Sequence, residues 1–327
     1  MARYADAVDI SSVGAIVDTN YLNKIALTNT AAVSVRNLET DQGGTTVGWV
    51  RAKTFQDNPE GQAIGVGGEI TLENTSQTKY QVPKYWRADG ALFDDIYGEI
   101  TPKVQEAATL NVTNAVTTHI AQMSDSALVS TLQGVGAFLA GQAENYLDTS
   151  SGQLALKDFV EAESLRGDAV ADGLKICVTN SKMFYHLKSL AAVATNSNTL
   201  GMTLQNQVVA SGRIEELMGY VFYKADKLPL VSSSYYYMYL VDPGSIIMGT
   251  PMMPEIDPFQ RAEKAFQDIL KFKVGMSSGF EGVSWSATKT DVVTNTALAT
   301  AANWSKATED YKHIPMIVIK AAAPTFA

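Results

Sequence analysis

Histidine has the widest chemical reach of the common side chains, and this 327-residue chain has three: His119, His186 and His313. A zinc site would need three or four imidazole, thiolate or carboxylate ligands at defined spacing. Each histidine falls in a different predicted element, without a second histidine or a cysteine at metal spacing, and no His-Glu-x-x-His pattern occurs. His119 is therefore expected as a packed or solvated helix residue. Gly65-Val66-Gly67-Gly68 has the glycines of a phosphate loop. A phosphate loop must also open a helix, so that free amides at the helix N-terminus meet the anion. Here Ile70-Thr71-Leu72 follows, which is β-like, and no Gly-Lys-Ser/Thr is present. The glycines read as giving twist and close backbone approach in a ribbon.

Asp94-Asp95 and Glu215-Glu216 are adjacent carboxylates. Neighbours in regular structure point in different directions, so caps or solvated faces explain them better than an acid–base pair. No Gly-x-Ser-x-Gly elbow or comparable nucleophile setting, which a hydrolase would require, is expected in this chain. Tyr235, Tyr236, Tyr237 and Tyr239 have faces for stacking bases but lack interleaved arginines, which favours a packed strand. Cys177 is the only cysteine, which rules out an intrachain disulfide, and in the run Leu174–Val178 it reads as a small hydrophobe. No catalytic, cofactor-binding or metal-ligating residue is assigned, and no cofactor is expected.

The elements around these residues speak more clearly. A chain of this length buries roughly 75% of its unfolded surface, enough for a core without staples. Hydrophobic residues make up 46% and charged residues 18%, a modest charge content that fits a surface partly covered by copies of the chain. The net charge is −9 with no basic run, which disfavours a grip on nucleic acid. The first residues lack the apolar core of a secretory signal, and no run of about 18 apolar residues exists to span a membrane. A reducing cytoplasm is the expected setting.

Residues 1–30 show no strong period and are expected as an arm that orders against a partner. Val33–Arg36 and Thr46–Arg51 alternate as half-buried strands do, with Asp41–Gly44 as the turn that would join them. Thr78–Pro83 completes a ribbon too poor in apolar residues to stand alone in water. Val104, Ala108, Val112, Val116, Ile120, Met123 and Ala127 then share one helix face. Thr101 is positioned to cap that helix, with Pro102 at its first position. The predicted helix runs from Pro102 to Leu132, where Gly134 and Gly136 would loosen it. Beyond lie a helix near 156–165, a strand at 174–179, a helix near 181–193, strands at 219–223 and 235–241, and long strands over 255–274. The chain ends in a strand at Gly282–Trp285, a short helix starting near Thr294 or Asn295, and a β-branched strand through Ile319. Trp285 and Trp304 are expected in a core.

That ending carries a resemblance. Gly282-Val283-Ser284-Trp285, Thr294-Asn295 with Leu298-Ala299 and Ala302-Asn303-Trp304, and the strand Ile314–Ile319 resemble the C-terminus of a family of tailed-phage major capsid proteins. Lys79–Pro83 with Ala91–Asp95, Leu128–Val135, Leu156–Phe159, Ile176–Tyr185, Ser211–Ile214, Gly219–Phe222 and Asp242–Ile246 are similar to further blocks in matching order. Two departures stand out. Ala297 occupies a position where the family commonly has glutamate, which removes one capping carboxylate. Val293 stands where proline is frequent.

The resemblance implies an α+β HK-ninety-seven-like capsid fold. Its parts would be an N-terminal arm (1–30), an extended β-loop (31–90), a peripheral domain with the spine helix (91–153 and 251–282), and an axial domain with the C-terminal segment (154–250 and 283–327). It implies a non-enzymatic subunit that assembles as pentamers and hexamers into an icosahedral shell around double-stranded DNA, without sequence-specific binding and without a membrane. Scaffolding, portal and decoration proteins are the implied further partners, and the virion, assembled in host cytoplasm, the implied location. An encapsulin-like compartment, a tail component and a cytosolic enzyme are the alternative readings. Some relatives crosslink through a lysine in the extended loop. Lys53 is the nearest analogue here, but no partner asparagine or glutamate aligns, so no crosslink is expected. Deleting residues 35–80 is expected to leave a soluble subunit that cannot form shells.

Overall fold

The computed structural model describes residues 27, 30–36, 46–52, 77–93, 102–167, 175–194, 219–226, 228, 234–249, 255–261, 267–286, 292–308 and 310–324. Its axis is one helix, Pro102–Gln142 (α1), of 41 residues. At 1.5 Å per residue this is about 62 Å long. Of the predicted apolar face, Val116, Ile120 and Ala127 are buried and Met123 packs against the same core. Thr101 and the side chains of residues 102–110 lie outside the described residues.

The helix does not loosen at Gly134. It continues through Gly134 and Gly136, because both glycines are contact points. A Cβ on Gly134 would collide with the Leu298 carbonyl and the Trp304 indole nitrogen, and one on Gly136 with the Tyr239 ring. A helical glycine costs about 1 kcal/mol against alanine, and here that cost is offset by packing no larger residue permits.

A five-stranded sheet lies at one end. Its order is β4 (Tyr146–Thr149), β13 (Met316–Ala322), β7 (Tyr235–Val241), β5 (Lys175–Thr179) and β6 (Tyr220–Lys224). The outer pairs are parallel and the two inner pairs antiparallel. Alternate residues of its strands feed two different clusters, as the two-residue period demands. On one face Cys177, Met238, Leu240, Ile317 and Ile319 pack with Phe159 of α2 (Leu156–Ser164) and Met183 and Leu187 of α3 (Ser181–Ala194). On the other face Ile176, Val178, Tyr239, Val241, Met316 and Val318 pack with the α1 residues Leu132, Val135 and Leu139.

A second, longer sheet runs β1 (Val33–Arg36), β8 (Ile246–Gly249), β10 (Gln267–Phe280), β3 (Gln77–Phe93) and β2 (Thr46–Ala52), with β9 (Glu255–Arg261) also paired to β10. The expected hairpin between Val33–Arg36 and Thr46–Arg51 is not formed. β1 pairs parallel with β8, Val33 opposite Ile246, whereas β2 pairs antiparallel with β3, Thr46 opposite Pro83. Alternation reports that one face is buried and leaves the partner open. All of β8 is buried, so both its edges need partners, and β1 and β10 supply them. Of the expected arm (1–30), only residues 27 and 30 are described. Leu27 is fully buried, and its N–H donates to Asp125 Oδ1 on α1 at 3.1 Å.

Among the described residues, no helix is long and apolar enough to cross a membrane.

Candidate functional site

The residues with chemical reach are scattered. His119 is half exposed on α1, with Nε2 2.7 Å from Asp89 Oδ2 and its ring edge-on to Phe272. His186 is buried on α3, with no partner for Nε2 among the described residues. His313 lies exposed in a single turn, Tyr311–His313. No group of three metal-ligating side chains forms among the described residues. Cys177 is fully buried, and burial pushes its thiol pKa well up, away from the reactive thiolate. Tyr236 and Tyr239 are buried in β7, as a packed strand requires. Gly65–Gly68, Asp94-Asp95, Glu215-Glu216 and Lys53 lie outside the described residues.

One pattern runs against the sequence-based expectation that no hydrolase serine exists. Gly275-Met276-Ser277-Ser278-Gly279 has the bare Gly-x-Ser-x-Gly spacing. It forms the interior of β10, and Ser277 is only 1% exposed, so no elbow presents its hydroxyl to a substrate.

What the fold does bring together is a clasp on the spine. β11 (Val283–Trp285) pairs with β12 (Trp304–Lys306), and Trp285 lies directly opposite Trp304. The two indoles meet edge to face with centroids 5.0 Å apart, both nearly fully buried. Such pairs add about 0.5–1.5 kcal/mol beyond the area they bury. Between the strands sits the four-residue helix Asn295–Leu298 (α4). Thr294 caps its start, with Oγ1 accepting the Ala297 N–H at 3.1 Å; the hydroxyl does this without the capping-box glutamate.

A helix this short leaves its last carbonyls without intrahelical donors. Two side chains from the following residues supply them. Asn303 Nδ2 donates to the Ala297 carbonyl and Trp304 Nε1 to the Leu298 carbonyl, each at 2.8 Å. The adjacent asparagine and tryptophan are therefore the C-terminal cap of α4. Leu298 and Trp304 then press onto Gly134 of the spine.

Arg87 ties the clasp to the long sheet. Its guanidinium donates to the Val293 carbonyl at 2.6 Å and to Asn295 Oδ1 at 2.8 Å, and lies 4.4 Å from the Tyr85 ring centroid. Tyr85 is fully enclosed, and that desolvation pushes its phenol up to about 12. Its hydroxyl is 2.8 Å from Ser278 Oγ, which is 2.7 Å from Thr131 Oγ1 on the spine.

The five-stranded sheet has its own ties. Arg166, 4% exposed in its side chain, pairs with Asp242 at 2.9 Å and donates from Nε to the Lys312 carbonyl. Glu163 accepts from both Lys175 Nζ and the Tyr220 hydroxyl at 2.7 Å. Burial and the Glu163 carboxylate together hold the Tyr220 phenol far above its ordinary value. None of Arg87, Arg166 or Ser278 stands out by spacing in the sequence. Gly134, inside a strong helical pattern, is a legible signal, because such a residue needs a packing reason.

A spine helix, two sheets and a C-terminal clasp can be compared as a whole with solved structures. The capsid of Ralstonia phage GP4 superposes with a TM-score of 0.57 at 8% identity, over 90% of this chain and 88% of that one. The capsid of an empty GTA particle gives 0.54 at 15% identity, over 92% and 97%. The cyanophage Pam1 capsid gives 0.51 at 12% identity, over 90% of each. This chain has the HK-ninety-seven-like capsid fold. No family model and no curated protein matches its sequence. At 8–15% identity the likeness lies in the path of the backbone rather than in shared side chains.

Proposed function

We propose that this chain is a tailed-phage major capsid protein, whose copies assemble as pentamers and hexamers into an icosahedral shell enclosing double-stranded DNA. The observation that supports this most strongly is the end-to-end match. The three capsid chains named above cover 90–92% of this chain and are themselves covered to 88–97%. A shared module inside an unrelated enzyme would cover only part of each.

In this reading the β2–β3 ribbon and the residues it brackets form the extended loop. The spine with β10 forms the peripheral domain, and the five-stranded sheet forms the axial domain. The chain acts by geometry, with no catalytic residue and no cofactor. The net charge of −9 suits a wall that does not adhere to its cargo. Scaffolding, portal and decoration proteins are further partners in this reading, and assembly takes place in the host cytoplasm.

Negative-stain microscopy of the purified chain tests the proposal. Closed shells tens of nanometres across are expected, and nucleic acid inside native particles separates a phage capsid from a protein-packing compartment. Tubes or small monodisperse oligomers would overturn it. A deletion sharpens the test, but removing residues 35–80 would also take Val35, Arg36, Lys79 and Tyr80 from the subunit's own sheet. Ala52 and Gln77 are cross-strand partners. Replacing residues 53–76 by Asn-Gly should therefore close a two-residue hairpin and leave the fold intact. The expected product is a folded subunit that forms no shells.

A further inference from the structure

The five-stranded sheet is covered on its faces but not along the outer edge of β6, beyond which no strand lies among the described residues. The ladder from β6 to β5 is parallel, from Lys175 opposite Tyr220 to Thr179 opposite Lys224. The Lys175 N–H donates to the Gly219 carbonyl, and the Ala225 N–H to the Thr179 carbonyl. A strand turns the backbone groups of successive residues to opposite sides. Residues 219, 221, 223 and 225 therefore face β5, and Tyr220, Phe222 and Lys224 turn their N–H and C=O groups outward. Such an edge is a template for another strand.

The two flanks of this edge differ in chemistry. On the helix side, Phe222 packs against the cluster under α2 and α3 and meets Phe184 of α3 with ring centroids 6.3 Å apart. The Lys224 ammonium lies 5.2 Å from the Phe184 ring centroid and 5.7 Å from that of Tyr185. Tyr185 is 51% exposed, and Lys182, its neighbour one turn earlier on α3, is exposed as well. α3 contains no acidic residue, and at the Tyr220 end the Glu163 carboxylate is already held by Lys175. On the other side, Tyr223 packs against the spine cluster. Burial, then the Asp125 and Asp226 carboxylates, raise the Tyr223 phenol above its ordinary value, so both acids act on that side. In a chain of net charge −9, the helix flank of β6 is thus locally cationic and aromatic.

We propose that the outer edge of β6 accepts an extended peptide segment of a partner protein as an added strand, with acidic side chains on the helix side and apolar ones on the spine side. The outward groups of Tyr220, Phe222 and Lys224 supply the ladder, which gives affinity, and the flanks select the side chains. Acids at alternate positions meet Lys224 and Lys182, and the residues between them meet Val221 and Tyr223. A lysine at an edge also deters unwanted pairing. Deterrence does not account for the half-exposed tyrosine beside it, which offers a partner apolar area as well as charge. Nucleic acid fits less well, because phosphates only accept hydrogen bonds and leave the outward carbonyls without donors.

Fluorescence anisotropy on the full-length chain tests this, whether or not the chain builds shells. The probe is a labelled short peptide of alternating glutamate and valine, which should bind saturably at low salt. Replacing its glutamates by lysine should weaken binding about tenfold. Methylating its amide nitrogens removes the donors of the added strand and should abolish binding. The Lys182→Glu, Lys224→Glu double variant should bind the glutamate peptide about tenfold more weakly and the lysine peptide more tightly than the unmodified chain does. Absence of saturable binding, binding retained by the methylated peptide, or unchanged affinities in the folded double variant would each overturn the proposal. So would tighter binding of a single-stranded oligonucleotide than of the glutamate peptide. If the double variant does not fold, the methylated peptide on the unmodified chain decides alone.

Discussion

The two sheets of this subunit use similar residues and differ in how they are covered. The five-stranded sheet is closed on both faces, by α2 and α3 on one side and by the spine on the other. The long sheet turns Tyr85, Phe272, Val274 and Met276 toward the spine and the core. Its opposite face carries Trp86, which is 47% exposed, and exposed Lys271 and Lys273, with the Lys273 ammonium 5.2 Å from the Trp86 ring centroid. A sheet covered on both faces holds itself together. The long sheet is buried on both faces at β8, but around Trp86, Lys271 and Lys273 one face is left for something else. The closed sheet and clasp should therefore govern the stability of the subunit, and the open face its association.

The largest expected effect breaks the closed side. Trp304→Ala removes the indole that caps Leu298 and packs on Trp285 and Gly134, and should cost about 3–5 kcal/mol in urea unfolding. Arg166→Met should cost about 3 kcal/mol, because it leaves the Asp242 carboxylate without its buried partner. A loss below about 1 kcal/mol for either would mean that the clasp and the ion pair do not hold the closed side. Trp86→Ser, on the open face, should change subunit stability by no more than about 1 kcal/mol. It should nevertheless weaken self-association in sedimentation velocity. A large loss of stability with association intact would reverse the contrast between the sheets.

The smallest effect is a matter of pH. Hydrogen bonds from Ser150 and Lys320 hold the Asp148 carboxyl below the ordinary carboxylate range, joining β4 to β13. A depressed pKa contributes stability that is present above the unfolded value, about pH 4, and is lost as pH falls toward the lower folded value. Asp148→Asn should accordingly lower Tm slightly at pH 7, and the difference from the unmodified chain should shrink by pH 3. A constant difference across that range would show that packing, not charge, sets the effect.

Much of the fold was legible in the chain. The three- and four-residue spacing of Val116, Ile120, Met123 and Ala127 placed the spine, and the run Tyr235–Val241 placed the central strand of the closed sheet at its observed bounds. Trp285 and Trp304 were expected in a core and are there. The pairing of β1 was not legible, because alternation specifies a buried face and is silent on the neighbour. Gly134 and Gly136 were misread for a similar reason. A local rule treats glycine as a helix weakener, whereas here the missing side chain is what admits Leu298, Trp304 and Tyr239. Asn303 and Trp304 stood out in sequence as a doublet, but the carbonyls they cap became visible only when the chain folded back.

By itself, then, the sequence determined which residues are buried and with what period. That follows from the hydrophobic effect and backbone geometry acting over a few neighbouring residues. It also excluded a disulfide framework and a run of apolar residues long enough to cross a bilayer. Tertiary structure alone decided which strands pair, which glycines are contact points, and which carbonyls Arg87, Asn303 and Trp304 satisfy. Apart from the Asn303 and Trp304 caps, which span six residues, those outcomes depend on contacts between residues tens to hundreds of positions apart. Their partners are chosen by shape and hydrogen-bond geometry once the spine has brought them within reach.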